Sequence, residues 1–151
     1  MSVPVRRVLP PVWLLLALGA SFVLDRWLPI ARLVPKPWNY LGFVPLTLGA
    51  LMSITAAGAF RRVGTPVVPF EPSTALVTGG WFRMTRNPMY LGLTLILAGV
   101  ALVDGTLGAL LPLPVFIGIL HFRFIRAEER FLEGIFGEPY RIYRTQVRRW
   151  L

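Results

Sequence analysis

The sequence predicts an all-α integral membrane protein with about four transmembrane helices (possibly five helical segments), followed by an amphipathic C-terminal segment. Three observations carry this prediction. Of the 151 residues, 55% are hydrophobic and the mean hydropathy is +0.63, which is more apolar surface than so short a chain can bury. Residues 38–60, 87–103 and 105–122 are free of charged side chains, and each run approaches the ~20 residues that span a bilayer. Basic residues also concentrate on one side of the resulting topology.

The first two helices are predicted at about 11–30 and 40–60. The first apolar run is short, and it reaches spanning length only by continuing past Asp25 and Arg26. A cleaved signal peptide is an alternative, because two arginines precede this run, but two prolines at its start and the absence of a clear cleavage site favour a retained helix. The second run contains small residues that let helices pack closely in lipid: Gly42, Gly49, Ala50, Ser53, Ala56, Ala57 and Gly58.

The second half of the chain begins with a long connection, 61–86, whose prolines and glycines predict irregular structure and, by its length, a functional loop. The third helix is predicted at 88–103, with Asn87 as its cap and Pro88 as its first residue. The Asp-Gly pair at 104–105 predicts a tight turn into an antiparallel fourth helix, 106–123, which its two prolines should kink. Residues 124–151 predict an interfacial amphipathic segment with a break at Gly137–Pro139.

The formal net charge of +9 is explained by orientation in a membrane rather than by binding to nucleic acid. With four helices, the segments 1–7, 61–86 and 123–151 share one side and carry thirteen of the sixteen basic residues. This bias predicts cytoplasmic N- and C-termini in a bacterial-type inner membrane, with contacts to anionic lipid headgroups. The chain contains no cysteine and one histidine, which excludes cysteine chemistry and argues against a metal site.

Two clusters of polar residues flank the apolar runs on this inner side. Arg83 and Arg86 precede the third helix, whose free N–H groups and positive dipole end suit a carboxylate or a phosphate. Anchoring to lipid headgroups explains the arginines equally well. Glu128 and Glu129 follow the fourth helix, near His121, Arg123 and Arg126. A carboxylate can accept both hydroxyls of a ribose, but an ion pair between Arg126 and Glu129 is the simpler interpretation of these residues alone.

Neither cluster contains a glycine-rich nucleotide motif of the soluble type. Together and in this order, however, "LVTGGWFRMTRNPMYLG" and "RAEERFLEGIFGEPYRIYRTQVRRWL" resemble the isoprenylcysteine carboxyl methyltransferase family and the related integral-membrane phospholipid methyltransferases. "GTPV" at 64–67 is similar to a loop of the bacterial members. The resemblance covers residues 61–151, and the first two helices are generic.

The resemblance implies an S-adenosylmethionine-dependent methyltransferase whose cofactor lies between the third and fourth helices and the C-terminal segment. The arginine-proline motif corresponds to Arg86, Asn87, Pro88 and Tyr90, the glutamate pair to Glu128 and Glu129, and a later element to Phe136, Gly137 and Tyr140. Eukaryotic relatives have histidine at the position of Asn87. The predicted cofactor contacts are Arg83, Asn87, Pro88, Tyr90, His121, Glu128, Glu129 and Tyr140.

Roles follow from the chemistry of the cofactor. A positively charged sulfonium is held by the faces of aromatic rings, and Tyr90, Tyr140 and Trp81 could supply such faces. A glutamate would take the ribose or the amino group, and the helix end with an arginine would take the methionyl carboxylate. A further arginine, which is Arg86, Arg123 or Arg126, would orient the acceptor as the predicted catalytic contact. The resemblance provides no general base, and a carboxylate acceptor would need none.

The acceptor implied by the resemblance is lipid-like or amphipathic and enters from the bilayer. A prenylated cysteine carboxylate is the family's example, while a phospholipid amine, a small thiol and a quinone-like compound stay open. Two other classes of protein also remain as alternatives. One is a membrane-embedded reductase with a similar arrangement of helices, and the other is a non-catalytic membrane protein. The sequence does not specify an oligomeric state.

Overall fold

The computed structural model describes residues 9–66 and 74–151, and all regular elements within these ranges are helical, as predicted. The two basic residues of the predicted inner N-terminus and Val67 of "GTPV" lie outside the described residues. The α-helices are α1 (Pro10–Trp27), α2 (Phe43–Arg62), α3 (Pro88–Asp104), α4 (Leu107–Leu110), α5 (Pro112–Ile119), α6 (Arg126–Phe136) and α7 (Glu138–Gln146). Short 3₁₀ helices occupy Trp38–Gly42 and Gly80–Arg83, and a π-helical turn occupies Leu120–Ile125.

Two helical stretches of the described chain are long and apolar enough to cross a membrane, Trp38–Arg62 and Leu107–Phe136. Helix α3 is apolar but has only 17 residues. Large apolar side chains of α2 face outward, with Leu51 55% and Ile54 68% exposed, as expected where lipid replaces a protein partner. Length and composition therefore support two spans, and the predicted number of four is not confirmed by them.

Helix α3 lies at the centre of the fold. Its Leu97 and Ala101 are fully buried, and it contacts α1, α2, α4 and α5. Gly105 ends α3 in the left-handed conformation, with φ of 77°, because the chain must turn at once into α4. This confirms the tight turn predicted from the Asp-Gly pair.

Helices α2 and α3 pack at backbone contact through two pairs of glycines. Gly42 faces Gly99 and Gly49 faces Gly92. A methyl group added at Gly99 would lie 2.6 Å from the carbonyl oxygen of Gly42, and one at Gly92 would lie 2.7 Å from that of Gly49. The seven-residue spacing on both helices brings the pairs onto one seam. Close packing was predicted for the small residues of the second helix, and it is confirmed at Gly42 and Gly49, whereas Gly58 faces open space.

The fourth helical stretch continues beyond the membrane boundary predicted at 123. It runs from Leu107 to Phe136, so the predicted amphipathic segment 124–151 begins as a continuation of this helix. The position at which the chain leaves the membrane stays a prediction. The helix is interrupted at Leu111, directly before Pro112, in agreement with the predicted effect of proline. The π-helical turn carries an extra residue, which rotates all later residues about the helix axis and helps to turn the glutamate pair toward the protein.

The break at Gly137–Pro139 is confirmed. Gly137 has φ of 58°, and Pro139 occupies the first turn of α7, where its missing N–H costs nothing. Helix α7 then packs against α6 and buries Tyr140 and Tyr143. The C-terminal segment is therefore part of the protein core on this side, in addition to its amphipathic character.

Candidate cofactor site

A pocket lies where the start of α3 meets α6 and α7. Its free volume is about 40 Å³, well below the roughly 300–1,000 Å³ of small-molecule pockets. Four polar side chains and a set of apolar and aromatic ones form its wall. The lining residues are Arg86, Asn87, Glu128, Glu129, Phe60, Ala75, Leu76, Val77, Phe82, Leu132, Tyr140 and Tyr143.

Glu129 is the centre of the charged wall. It is 6% exposed, and its carboxylate lies 3.1 Å from Nη1 of Arg86 and accepts two hydrogen bonds from Arg149, at 2.9 and 2.7 Å. Burial of a carboxylate is unfavourable unless charged donors surround it, and two guanidinium groups provide them here. The surface ion pair with Arg126 that the residues alone suggested does not form; Glu129 is held by Arg86 and Arg149 instead.

Arg86 has unused hydrogen-bonding capacity toward the pocket. Its side chain is 8% exposed, and neither Nε nor Nη1 has a hydrogen-bond acceptor among the described residues, although Nη1 is close enough to Glu129 for an ion pair. Buried guanidinium nitrogens normally have acceptors, since leaving them unpaired is costly. The geometry of this arginine therefore suits a bound anion such as a carboxylate.

Glu128 faces the same pocket through a different partner. The hydroxyl of Tyr90, on α3, donates a 2.7 Å hydrogen bond to its Oε2. One carboxylate oxygen of Glu128 is thereby oriented, and the other remains an acceptor for ligand hydroxyl or amino groups. The tyrosine and the glutamate are 38 residues apart, and only the packing of α3 against the fourth helical stretch brings them together.

Asn87 precedes α3 as predicted, but its side chain makes no capping hydrogen bond, so the predicted cap is wrong in its chemistry. Its Nδ2 instead donates to the carbonyl oxygen of Arg149 at 2.9 Å. The hydroxyl of Thr85 donates to the same carbonyl at 3.1 Å and accepts from the backbone N–H of Asn87. The amide side chain therefore ties the C-terminal segment to α3 at the edge of the pocket.

Two tyrosines of α7 complete the apolar wall. Tyr140 is 2% exposed, and the hydroxyl of Tyr143 donates to the carbonyl oxygen of Phe82 at 2.7 Å. Burial, with the charge of Glu129 as a second cause, raises the pKa of Tyr140 to about 12. The phenol of Tyr140 is therefore neutral at physiological pH and acts as a hydrogen-bond donor and an aromatic face rather than as a base.

The structure separates the remaining predicted residues from this pocket. Pro88 is buried as the first residue of α3, Arg83 is exposed, and the indole N–H of Trp81 donates to Thr55 on α2. His121 packs edge-on against Phe122. The guanidinium groups of Arg123 and Arg126 lie over the rings of Trp13 and Phe122, at 5.6 and 5.8 Å from the ring centres. Their predicted ligand roles stay predictions.

Sequence reasoning missed Arg149, the residue that contacts Glu129 most closely. Arg149 lies outside the helical spacing of Arg141, Arg144 and Arg148, so periodicity alone gives no indication of its contacts. The hydrogen bond to Glu129 raises the pKa of Arg149, which keeps this side chain charged. The apolar wall from 75–77 was also missed, because a short loop has no periodic signal to indicate its contacts.

Comparison with known proteins decides the family. The family model described as phospholipid methyltransferase matches residues 38–139, which is more than half of the chain. The chain belongs to the phospholipid methyltransferase family. This is the family of integral-membrane methyltransferases that includes the isoprenylcysteine carboxyl methyltransferases, so the resemblance drawn from the motifs is confirmed.

An uncharacterized protein of Haemophilus influenzae (strain KW20 Rd) is 44% identical over 63 residues, which are 42% of this chain and the whole of that protein. No solved structure matches the chain. Membership in this family, together with the apolar helices, supports methyl transfer at a membrane as the general activity of this protein.

Proposed function

We propose that this protein transfers a methyl group from S-adenosylmethionine to a lipid-like or amphipathic acceptor. The observation that carries the proposal is the buried guanidinium of Arg86, whose Nε and Nη1 lack a hydrogen-bond acceptor among the described residues and share one pocket with two glutamates and a buried tyrosine ring. S-adenosylmethionine offers a carboxylate, an amino group, ribose hydroxyls and a sulfonium. Each finds a chemically matched partner in this set of residues.

The assignment of partners follows from charge. The methionyl carboxylate would pair with Arg86, the amino group or the ribose with Glu128, and the sulfonium with the electron-rich face of Tyr140. The cofactor supplies an activated methyl group when it is bound. This chain's residues orient it and exclude water, which favours in-line displacement. Burial keeps the phenol of Tyr140 protonated, so this residue is not a general base, and a carboxylate acceptor would need none.

An apolar groove offers a route for the acceptor. It lies between α1 and α5, has a volume of about 370 Å³, and includes Trp13 and Phe116. Arg123 lies over the ring of Trp13 at one end of this groove. The cluster of buried side chains that contains Phe116 of the groove also contains Tyr90, whose hydroxyl donates to Glu128 of the pocket. An amphiphile with an apolar tail and an anionic headgroup would match this arrangement.

The proposal includes the orientation predicted from charge. Four helical stretches would cross the membrane, with both termini and the cofactor pocket on the cytoplasmic side. Helix α3 is short for a span, but close packing against α2 along the glycine seam would hold it at membrane depth. A pocket on that side would face the soluble cofactor directly, while the groove faces the bilayer that contains the acceptor.

Isothermal titration of the detergent-purified protein tests the cofactor. We expect S-adenosylhomocysteine, the product of methyl transfer, to bind, and NADPH not to bind. Binding of NADPH alone would favour the membrane-embedded reductase, and binding of neither ligand to folded protein would favour a non-catalytic role. Incubation with labelled S-adenosylmethionine and a lipid extract of the native membrane would then identify the acceptor by the label it receives.

Arg123→Gln tests the acceptor route. We expect the KM for an anionic amphiphile to rise about tenfold, because one charged hydrogen bond of roughly 1.4 kcal/mol or more is lost. The affinity for S-adenosylhomocysteine should stay unchanged, since Arg123 does not line the cofactor pocket. Arg130→Gln, an exposed arginine of α6, is the matched control. An unchanged KM for the acceptor would remove Arg123 from the route.

A further inference from the structure

The side chain of Arg149 does not line the pocket, but it contacts a residue that does. Its guanidinium donates two hydrogen bonds to Glu129, from Nε to Oε1 at 2.9 Å and from Nη2 to Oε2 at 2.7 Å. Both oxygens of this pocket carboxylate are therefore occupied by one guanidinium, in the two-pronged geometry that gives strong and well-oriented charged hydrogen bonds.

The backbone around Arg149 is fixed independently of this ion pair. The carbonyl oxygen of Arg149 accepts hydrogen bonds from the hydroxyl of Thr85 and from Nδ2 of Asn87. The carbonyl oxygen of Arg148 accepts from the backbone N–H of Arg86 at 2.9 Å. These bonds join the chain after α7 to the loop before α3, and none of them involves the guanidinium of Arg149. A substitution of Arg149 can therefore test its side chain alone.

Arg86 and Arg149 make unequal use of the same carboxylate. Nη1 of Arg86 lies 3.1 Å from Oε1 of Glu129, yet neither Nη1 nor Nε of Arg86 has a hydrogen-bond acceptor among the described residues. Arg86 is thus held near Glu129 by charge, while its donors are left over. Without Arg149, both oxygens of Glu129 would be open to these donors, because a buried guanidinium nitrogen without an acceptor is unfavourable.

We propose that Arg149 is a positioning residue for the anionic end of the ligand: by occupying Glu129, it keeps the Nε and Nη1 donors of Arg86 free for a carboxylate. The identity of the ligand, S-adenosylmethionine or its product, rests on the proposed function. Glu129 holds Arg86 in place, and Arg149 prevents that contact from using up the donors of Arg86. Loss of Arg149 therefore weakens recognition of the ligand carboxylate and leaves recognition of the nucleoside unchanged.

Two ligands that differ only in the carboxylate test this role. S-adenosylhomocysteine and its decarboxylated analogue share the nucleoside, the sulfur and the amino group, so the ratio of their dissociation constants measures recognition of the carboxylate. In Arg149→Gln we expect this preference for S-adenosylhomocysteine to fall roughly 10- to 100-fold, as for the loss of one charged hydrogen bond. A purely structural role of Arg149 would weaken both ligands and leave the preference at its wild-type value, which would overturn the proposal.

Two further variants show whether Arg149 acts through Arg86. Arg148→Gln removes the same charge from an exposed side chain one residue earlier, so its preference should equal that of the wild type. In Arg86→Gln the preference should already be low, and the additional Arg149→Gln substitution should lower it no further. A further fall in the double variant, or a fall in Arg148→Gln equal to that in Arg149→Gln, would contradict the proposal.

Acetate provides a readout that does not depend on the identity of the ligand. We expect acetate to shift the NMR signal of the Arg86 Nε–H in the detergent-purified wild type and to leave it unchanged in Arg149→Gln. An equal response in the two proteins, or none in the wild type, would overturn the role of Arg149. If the wild type binds acetate at Arg86 in this way but does not bind S-adenosylhomocysteine, the proposed function fails and the positioning of Arg86 by Arg149 stands.

Discussion

Glu129→Gln is expected to abolish detectable binding of S-adenosylhomocysteine and to destabilise the protein. The substitution leaves the shape of the side chain but removes the charge that faces two guanidinium groups, one of them 8% exposed. Removing one partner of a buried ion pair costs about 3 kcal/mol or more, since the other charge stays buried without compensation. A weakening of at least about 100-fold in affinity is expected because Glu129 no longer holds the guanidinium of Arg86 in position for the carboxylate of the ligand.

Two measurements on purified protein check this prediction: isothermal titration for affinity and thermal unfolding for stability. Glu133→Gln is the matched control, because Glu133 lies on the same helix and also pairs with two arginines, Arg141 and Arg144, but at the surface. Exposed ion pairs contribute about 0–1 kcal/mol, so this variant should retain both stability and binding. Wild-type affinity in Glu129→Gln would show that the cofactor pocket lies elsewhere.

Gly49→Ala is expected to destabilise the protein strongly, against the usual trend for this substitution in a helix. Alanine normally stabilises a helix by about 0.5–1 kcal/mol relative to glycine. Here the new methyl group would meet the carbonyl oxygen of Gly92 and, at 2.9 Å, the backbone nitrogen of Ile96. Backbone atoms of a packed helix cannot rotate away as a side chain can, so α2 and α3 must separate along the seam. Overpacking of this kind costs typically 1–3 kcal/mol and is larger where the backbone has to move.

Gly58→Ala provides the internal comparison on the same helix. No heavy atom lies within 4 Å of a methyl group at this position, so the ordinary gain in helix propensity should appear. Thermal unfolding in one detergent should therefore move in opposite directions for the two variants, with Gly49→Ala lower and Gly58→Ala equal to or higher than the wild type. Equal stability in Gly49→Ala would mean that the two helices are further apart than described.

The helical class, most helix boundaries and the family followed from patterns that are local in sequence. Uncharged runs predicted the apolar helices because lipid requires them, and Pro88, Gly105 and Gly137 act at their own positions. The motif around Arg86 and the pair Glu128 and Glu129 likewise identified two walls of the pocket. Hydropathy alone marks only the end of the apolar run near 123, whereas a π-helical turn continues the helix through the charged residues that follow.

The sequence by itself determined which residue types are available: a chain of apolar helices, paired glutamates, and arginines on one side of the membrane. Only the tertiary structure decided the partners. Glu129 could pair with any of several arginines, and the packing of α7 selects Arg86 and Arg149. Asn87 suits a helix cap, yet it binds the carbonyl of Arg149, 62 residues away, because the chain that follows α7 lies against the start of α3. The physical reason is that charge and hydrogen-bonding capacity belong to single residues, whereas distance and burial, which decide which of these capacities are used, arise only when the helices pack together.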